Sequence, residues 1–148
     1  MIEAVRGYLA MLRSPPEAAR DRLEALAAAL DHLALAYHST PELHRDDVPD
    51  LPDGMADKEM RQIAIAAFPD FGFYAVVVPD ENPEQETMMG DAIDDLADIA
   101  IEMERVQWLW ETNGAQEANW HFRFWYRSHW GRHLHDLRRY VHARQFEG

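Results

Sequence analysis

Apolar residues recur at spacings of three and four along most of this chain, and the breaks in that rhythm divide it into elements. Ile2, Val5, Leu9 and Leu12 predict a short amphipathic helix over residues 2–13. Ser14-Pro15-Pro16-Glu17 stops it and reads as the start of another, with Ser14 as N-cap, Pro15 at the first helical position and Glu17 completing a capping box. Leu23, Leu26, Leu30, Leu33 and Tyr37 carry that second helix to about His38, and its alanines leave a small face for a close neighbour. Residues 39–54 hold three prolines among turn formers and read as a loop, partly extended. Asp57 is placed to cap a third helix over 58–67, with Met60, Ile63, Ala64 and Ala67 inward and Phe68-Pro69 closing it.

The rhythm changes at Phe71–Val78, FGFYAVVV, where aromatic and β-branched residues predict a strand. One strand makes no sheet. It either pairs with a short piece of the 42–52 loop or lies extended across the helices. Pro79–Gly90 reads as a polar connector. From Asp91 the helical rhythm returns at its most regular, with Ala92, Leu96, Ile99, Met103, Val106 and Trp110 forming a seam. Asp91, Asp95, Asp98 and Glu102 repeat one position earlier and make an acidic stripe beside it. Thr112-Asn113-Gly114 is a stop signal. A final helix then runs from about Gln116 into the low 140s, with Trp130, Leu134, Leu137 and Val141 on its seam. The fold class expected is mainly α, a four- to five-helix bundle-like single domain over 1–148 with one short extended segment near 71–78.

A short turn at Gly114 makes the last two helices antiparallel neighbours. Equal rise per residue puts Asp98 level with Gly131, Asp95 with Leu134 and Glu102 with Arg127. Asp95 and Asp98 are thereby brought near His129 and His133, with Tyr126 and Asp136 at the margins and Gly131 permitting close approach. Three readings of this cluster stand side by side. Carboxylates can hold imidazoles by hydrogen bonds and fix the helix register. Two histidines at i and i+4 with two carboxylates can bind a divalent metal such as Zn, Mn or Fe. A His–Asp pair can also serve as general acid and base.

Composition narrows the chemistry. Formal net charge is −13, from 27 acids against 14 bases, a field that repels phosphate backbones and anionic headgroups, so neither nucleic acid nor membrane is expected as a partner. There is no cysteine, which removes disulfides, thiolate metal sites and cysteine nucleophiles. MIEAVRGYLAMLR has charges inside its apolar pattern and no signal-peptide core, and no run approaches the roughly 18 apolar residues of a membrane span, so a cytoplasmic location is expected. H-E-x-x-H, E-x-x-H, G-x-S-x-G, Walker A and G-x-G-x-x-G motifs are all missing. No catalytic residue is nominated. Five tryptophans crowd the last helical pair, as core and as an aromatic surface for a partner. His135, Arg138, Arg139 and His142 form a basic face, solvated or open to an anionic partner.

Two blocks carry a family resemblance: Gly90 with Asp94-Asp95-Leu96-Ala97-Asp98-Ile99, and His129-Trp130-Gly131 with His133-Leu134, Leu137-Arg138 and His142. On these the chain resembles the bacterial domain of unknown function 5063 family over most of its length after about Leu23. The resemblance implies a mainly helical fold and pairing of the two blocks, and it supplies no reaction. The sequence departs from that pattern at Phe71–Val78, where valines replace more polar residues. The function expected is that of a non-catalytic accessory or protein-interaction domain, through a protein partner or self-association, without a cofactor. The alternative is a divalent-metal-binding protein or metal-dependent hydrolase using Asp95, Asp98, His129 and His133.

Overall fold

A computed structural model describes residues 1–47, 50–51, 57–79 and 82–147. The helical rhythms become α1 (Ile2–Arg13), α2 (Ala19–Ser39), α3 (Asp57–Ala67) and α4 (Ala92–Thr112), followed by α5 (Ala115–Trp125) and α6 (Gly131–Phe146). A single π-helical turn, Tyr126–Trp130, joins α5 to α6 without a break, so the two form one rod. Counted that way, five helices and one antiparallel hairpin among the described residues make a mainly α domain, as the periodicity predicts.

The most regular seam in the sequence belongs to the central helix. Ala92, Leu96, Ile99, Met103 and Val106 of that seam are fully buried, whereas Trp110, expected as its last member, is only partly buried and Leu109 takes the core position instead. Helices α1, α3, α5 and α6 pack against α4, and α2 closes over α1 and α6. Burying each large apolar side chain of this set contributes about 1.5–3 kcal/mol. Polar ties then fix the packing. The Tyr8 hydroxyl donates to the Leu96 carbonyl at 2.9 Å inside the core, and Arg138 of α6 makes a two-pronged contact with Asp31 of α2 at 2.7 and 3.0 Å. Arg123 donates to the carbonyls of Tyr37 and Thr40 at 2.7 and 2.9 Å, satisfying backbone acceptors at the C-terminal end of α2. Arg138, expected on a free basic face, thus belongs partly to the α2–α6 contact.

Two local expectations are corrected. Helix α2 begins at Ala19, with Ala18 as an N-cap that offers no side-chain bond, and not at Pro15. The cause is Pro16: its ring disfavours helical geometry at the residue before it, so Pro15 cannot open the helix. The strand also finds a partner outside the 42–52 loop. β1 (Phe73–Val76) pairs antiparallel with β2 (Met88–Asp91), which occupies the end of the stretch read as a connector. Residues 48–49 and 52–56 of the expected loop and 80–81 of the expected connector lie outside the described residues. In the hairpin, Tyr74 stands opposite Gly90. A Cβ on Gly90 would come within 2.8 Å of the Tyr74 ring, so the glycine lets that ring cross β2 toward α4.

Gly131 plays a part different from the one expected. An added Cβ there would overlap the Tyr126 carbonyl oxygen and sit 3.0 Å from Tyr126 Cδ2. The Gly131 amide donates to that same carbonyl and closes the π turn. The close approach that glycine permits is therefore within its own rod, where a π turn crowds the backbone, and not toward α4.

Candidate functional site

The acidic stripe of α4 faces the rod along the flank beside the seam. Asp91, the first of the stripe, caps α4, accepting from the amides of Ile93 and Asp94 at 3.0 and 3.4 Å. Asp95 and Glu102 are 6% and 1% exposed, which is rare for carboxylates unless they are partnered. Asp98 between them is half-buried.

Each buried carboxylate meets an imidazole. Asp95 Oδ1 lies 2.6 Å from His133 Nδ1, and its other oxygen accepts from the Tyr74 hydroxyl that crosses Gly90. Glu102 Oε2 lies 2.8 Å from Nε2 of His121, a histidine with no exposed surface. Its Oε1 lies 2.9 Å from Arg105 and 3.4 Å from His129 Nδ1. The far nitrogens of His129 and His133 then converge. Nε2 of His133 is 3.5 Å and Nε2 of His129 is 3.9 Å from the same atom, Asp98 Oδ2. Asp98, His129 and His133 each offer a ligand atom within 4.8 Å of one another, all on partly exposed side chains.

The electrostatics follow from these contacts. The Asp95 hydrogen bond raises the His133 pKa above the usual imidazole value, against the opposing effect of burial, with the Asp95 and Asp98 charges adding to the rise. Burial raises the Asp98 pKa, partly offset by His133. For Glu102, burial alone would raise the pKa, but the His121 hydrogen bond together with the charges of His121, Arg105 and His129 hold it below the usual carboxylate range. Burial and the Asp95 hydrogen bond push the Tyr74 hydroxyl well up, so it stays a protonated donor.

The four residues singled out in the sequence, Asp95, Asp98, His129 and His133, thus lie together. Of the two expected at the margins, Asp136 shares a groove with Tyr74, Asp95 and His133. Tyr126 does not: it stacks on Tyr37 of α2 at 4.0 Å and bonds His135 at 2.8 Å, on another flank. Glu102 was expected level with Arg127, whereas Arg127 bonds Tyr37 and Glu42 instead. His121 was not anticipated at all. On an unbroken α-helix it would point about 120° away from His133. The extra residue in the π turn removes about 100° of that difference and puts His121, His129 and His133 on one flank. The one local signal for such a turn is the mid-helix glycine.

Chemically, the face can pass a proton across the His133–Asp95 pair or ligate a cation through Asp98, His129 and His133. Ser128 is no nucleophile for it, since its hydroxyl donates to the Phe124 carbonyl at 2.9 Å.

Fold and site together define a mainly helical domain with a buried Asp/Glu–His face between its last two helical elements. The chain belongs to the family described as domain of unknown function DUF5063, whose pattern matches residues 1–147. A crystal structure of protein BF1032 from Bacteroides fragilis is similar to it, with a TM-score of 0.75 and 16% identity over 99% of this chain and 90% of that one. At that identity the likeness speaks to the fold alone. No curated protein matches the chain. No helix among the described residues is long and apolar enough to cross a membrane.

Proposed function

We propose that this domain binds a divalent transition-metal ion through Asp98, His129 and His133. The observation that supports it is the orientation of both rings: each turns Nδ1 to a carboxylate and Nε2 to Asp98 Oδ2. A carboxylate behind the outer nitrogen fixes the tautomer and raises the basicity of the inner one, the arrangement that ligating histidines favour. The inner distances of 3.5 and 3.9 Å are too long for good hydrogen bonds. They come close to the roughly 3–3.4 Å separating ligand atoms around a cation with bonds of about 2.0–2.1 Å. Two imidazoles and one carboxylate suit Zn, Mn or Fe(II), and three protein ligands leave coordination positions for water or a further ligand.

The test is elemental analysis of protein purified without a histidine tag, followed by calorimetric titration with Zn, Mn and Fe(II). One ion per chain is expected, with binding lost in H129A/H133A and in D98A. No binding tighter than about millimolar, or unchanged binding in those variants, would sink the reading.

A second reading, a non-catalytic interaction domain, is favoured by the hairpin. Phe73, Met88 and Met89 are 68%, 52% and 74% exposed there. Large apolar side chains grouped on an otherwise charged surface mark a docking patch. The two readings are compatible, because Tyr74 ties the hairpin to Asp95 and thus to the ligand face. Light scattering after size-exclusion and affinity capture, with M88A/M89A as control, test it. A monomer whose capture profile the variant leaves unchanged would count against it.

A further inference from the structure

A cavity of about 590 Å³ lies between the start of α2, the turn after α3 and the end of α6. Its floor is apolar: Phe68 and Phe71 are 2% and 8% exposed and their rings sit 4.6 Å apart. Leu23 continues that surface, and Phe146 stands at its side with 68% of its own surface in solvent. An aromatic left in water beside an apolar hollow is an incomplete wall.

The rim is cationic on a strongly acidic chain. Arg144 at one edge has its charge answered by Asp70, which it holds through side chain and carbonyl. Arg20 and Arg22 line the other edge, and neither has a carboxylate within ion-pairing distance among the described residues. Glu24 also lines the cavity, one turn from Arg20, without pairing with it. Nine of the 13 arginines make ion pairs; Arg20 and Arg22 are two of the four that make none among the described residues, and, two positions apart on α2, they reach the aromatic floor from different sides of that helix.

We infer that this cavity binds a small organic anion with an aromatic or bulky apolar body, its carboxylate or comparable acid group held by Arg20 and Arg22 and its body on Phe68, Phe71 and Leu23. The volume falls within the range of small-molecule pockets, and a planar guanidinium suits a carboxylate. Phe146 covers the bound body from the side. Cavity and metal ligands share no residue, so this inference stands whatever the outcome of the metal titrations.

The probe pair is 1-naphthaleneacetate and its neutral amide, titrated by calorimetry into the full chain. The acid should bind at one site per chain and at least tenfold more tightly than the amide. R20E/R22E should weaken the acid at least tenfold. That variant places acids in the first turns of α2, where the helix dipole favours them, so the fold should survive, and circular dichroism checks it. F146A should weaken acid and amide alike. Equal affinity for the two probes, an unchanged Kd in R20E/R22E, no binding tighter than about millimolar, or an equal loss in the hairpin variant M88A/M89A would each overturn the inference.

Discussion

Replacing Gly131 by alanine tests the π turn and everything it positions. In an ordinary exposed helix the change would stabilise by about 1 kcal/mol, because alanine is the better helix former. Here the new Cβ would overlap the Tyr126 carbonyl and crowd the Tyr126 ring at 3.0 Å. Relief requires either a strained bulge or reversion to a regular α-helix. Reversion rotates α6 by about 100° relative to α5 and takes Leu134, Leu137 and Val141 off the core. Those three are at most 1% exposed, so the rod keeps its bulge and bears the overlap. Overpacking costs about 1–3 kcal/mol, and an overlap with backbone falls at the upper end of that range, so a net loss of about 1–2 kcal/mol remains after the helix gain. Equilibrium urea denaturation should therefore show a lower midpoint with unchanged slope, and Tm should fall by about 2–8 °C. A G131A protein as stable as the wild type, or more so, would refute the π turn and with it the alignment of His121 with His129 and His133.

Glu102 should support the fold in a pH-dependent way. Its folded pKa lies below the unfolded value of about 4.5, so its contribution is present above that value and lost as pH falls through the folded pKa; urea midpoints between pH 3 and 6 in chelator should fall less steeply for E102Q than for wild type. Removing the Arg123 contacts to the Tyr37 and Thr40 carbonyls should cost about 1.5–3 kcal/mol in R123A, read by urea denaturation. Gly90→Ala should push the Tyr74 ring off β2 and break its bond to Asp95, so a double-mutant cycle with Tyr74→Phe should show the two changes to be strongly non-additive.

Helices and their order were legible because apolar spacing reports directly on which face is buried. Leu96, Ile99, Met103 and Val106 came straight from that rule, and all are fully buried. What failed was local or relational. A second proline moved the start of α2 by four residues, an effect of backbone sterics that a capping motif does not register. β2, Met-Met-Gly-Asp, has little strand propensity of its own. It is a strand because FYAV lies beside it and because glycine opposite Tyr74 makes room for a ring. The candidate site was half legible for a related reason. Residues four apart share a flank on any helix, so His129 and His133 could be paired with Asp95 and Asp98 from spacing alone. His121 could not, because a single looped-out residue changes the phase of everything beyond it.

Charge balance on this face links the structural and metal readings and leads to a last prediction. Asp95, Asp98 and Glu102 bring three negative charges, and Arg105, 2.9 Å from Glu102, supplies one positive charge. Either one divalent cation or protons on the surrounding groups must supply the rest. The raised pKa values of His133 and Asp98 are how the cation-free protein leans toward protons. Ligation needs a neutral imidazole and an ionised carboxylate, so an incoming cation must expel those protons. Near pH 7 the proton concerned is that of His133, whose pKa Asp95 raises. Calorimetric titration in buffers of different ionisation enthalpy should therefore reveal up to about one proton released per ion near pH 7, falling as pH rises through the His133 pKa. Asp95→Asn keeps all three ligands but removes the charge behind His133. It should reduce proton release near neutrality while weakening metal binding by about 10–100-fold. Release that is unchanged in D95N would mean that Asp95 does not govern His133, and the carboxylate–imidazole–cation chain would be wrong at its first link.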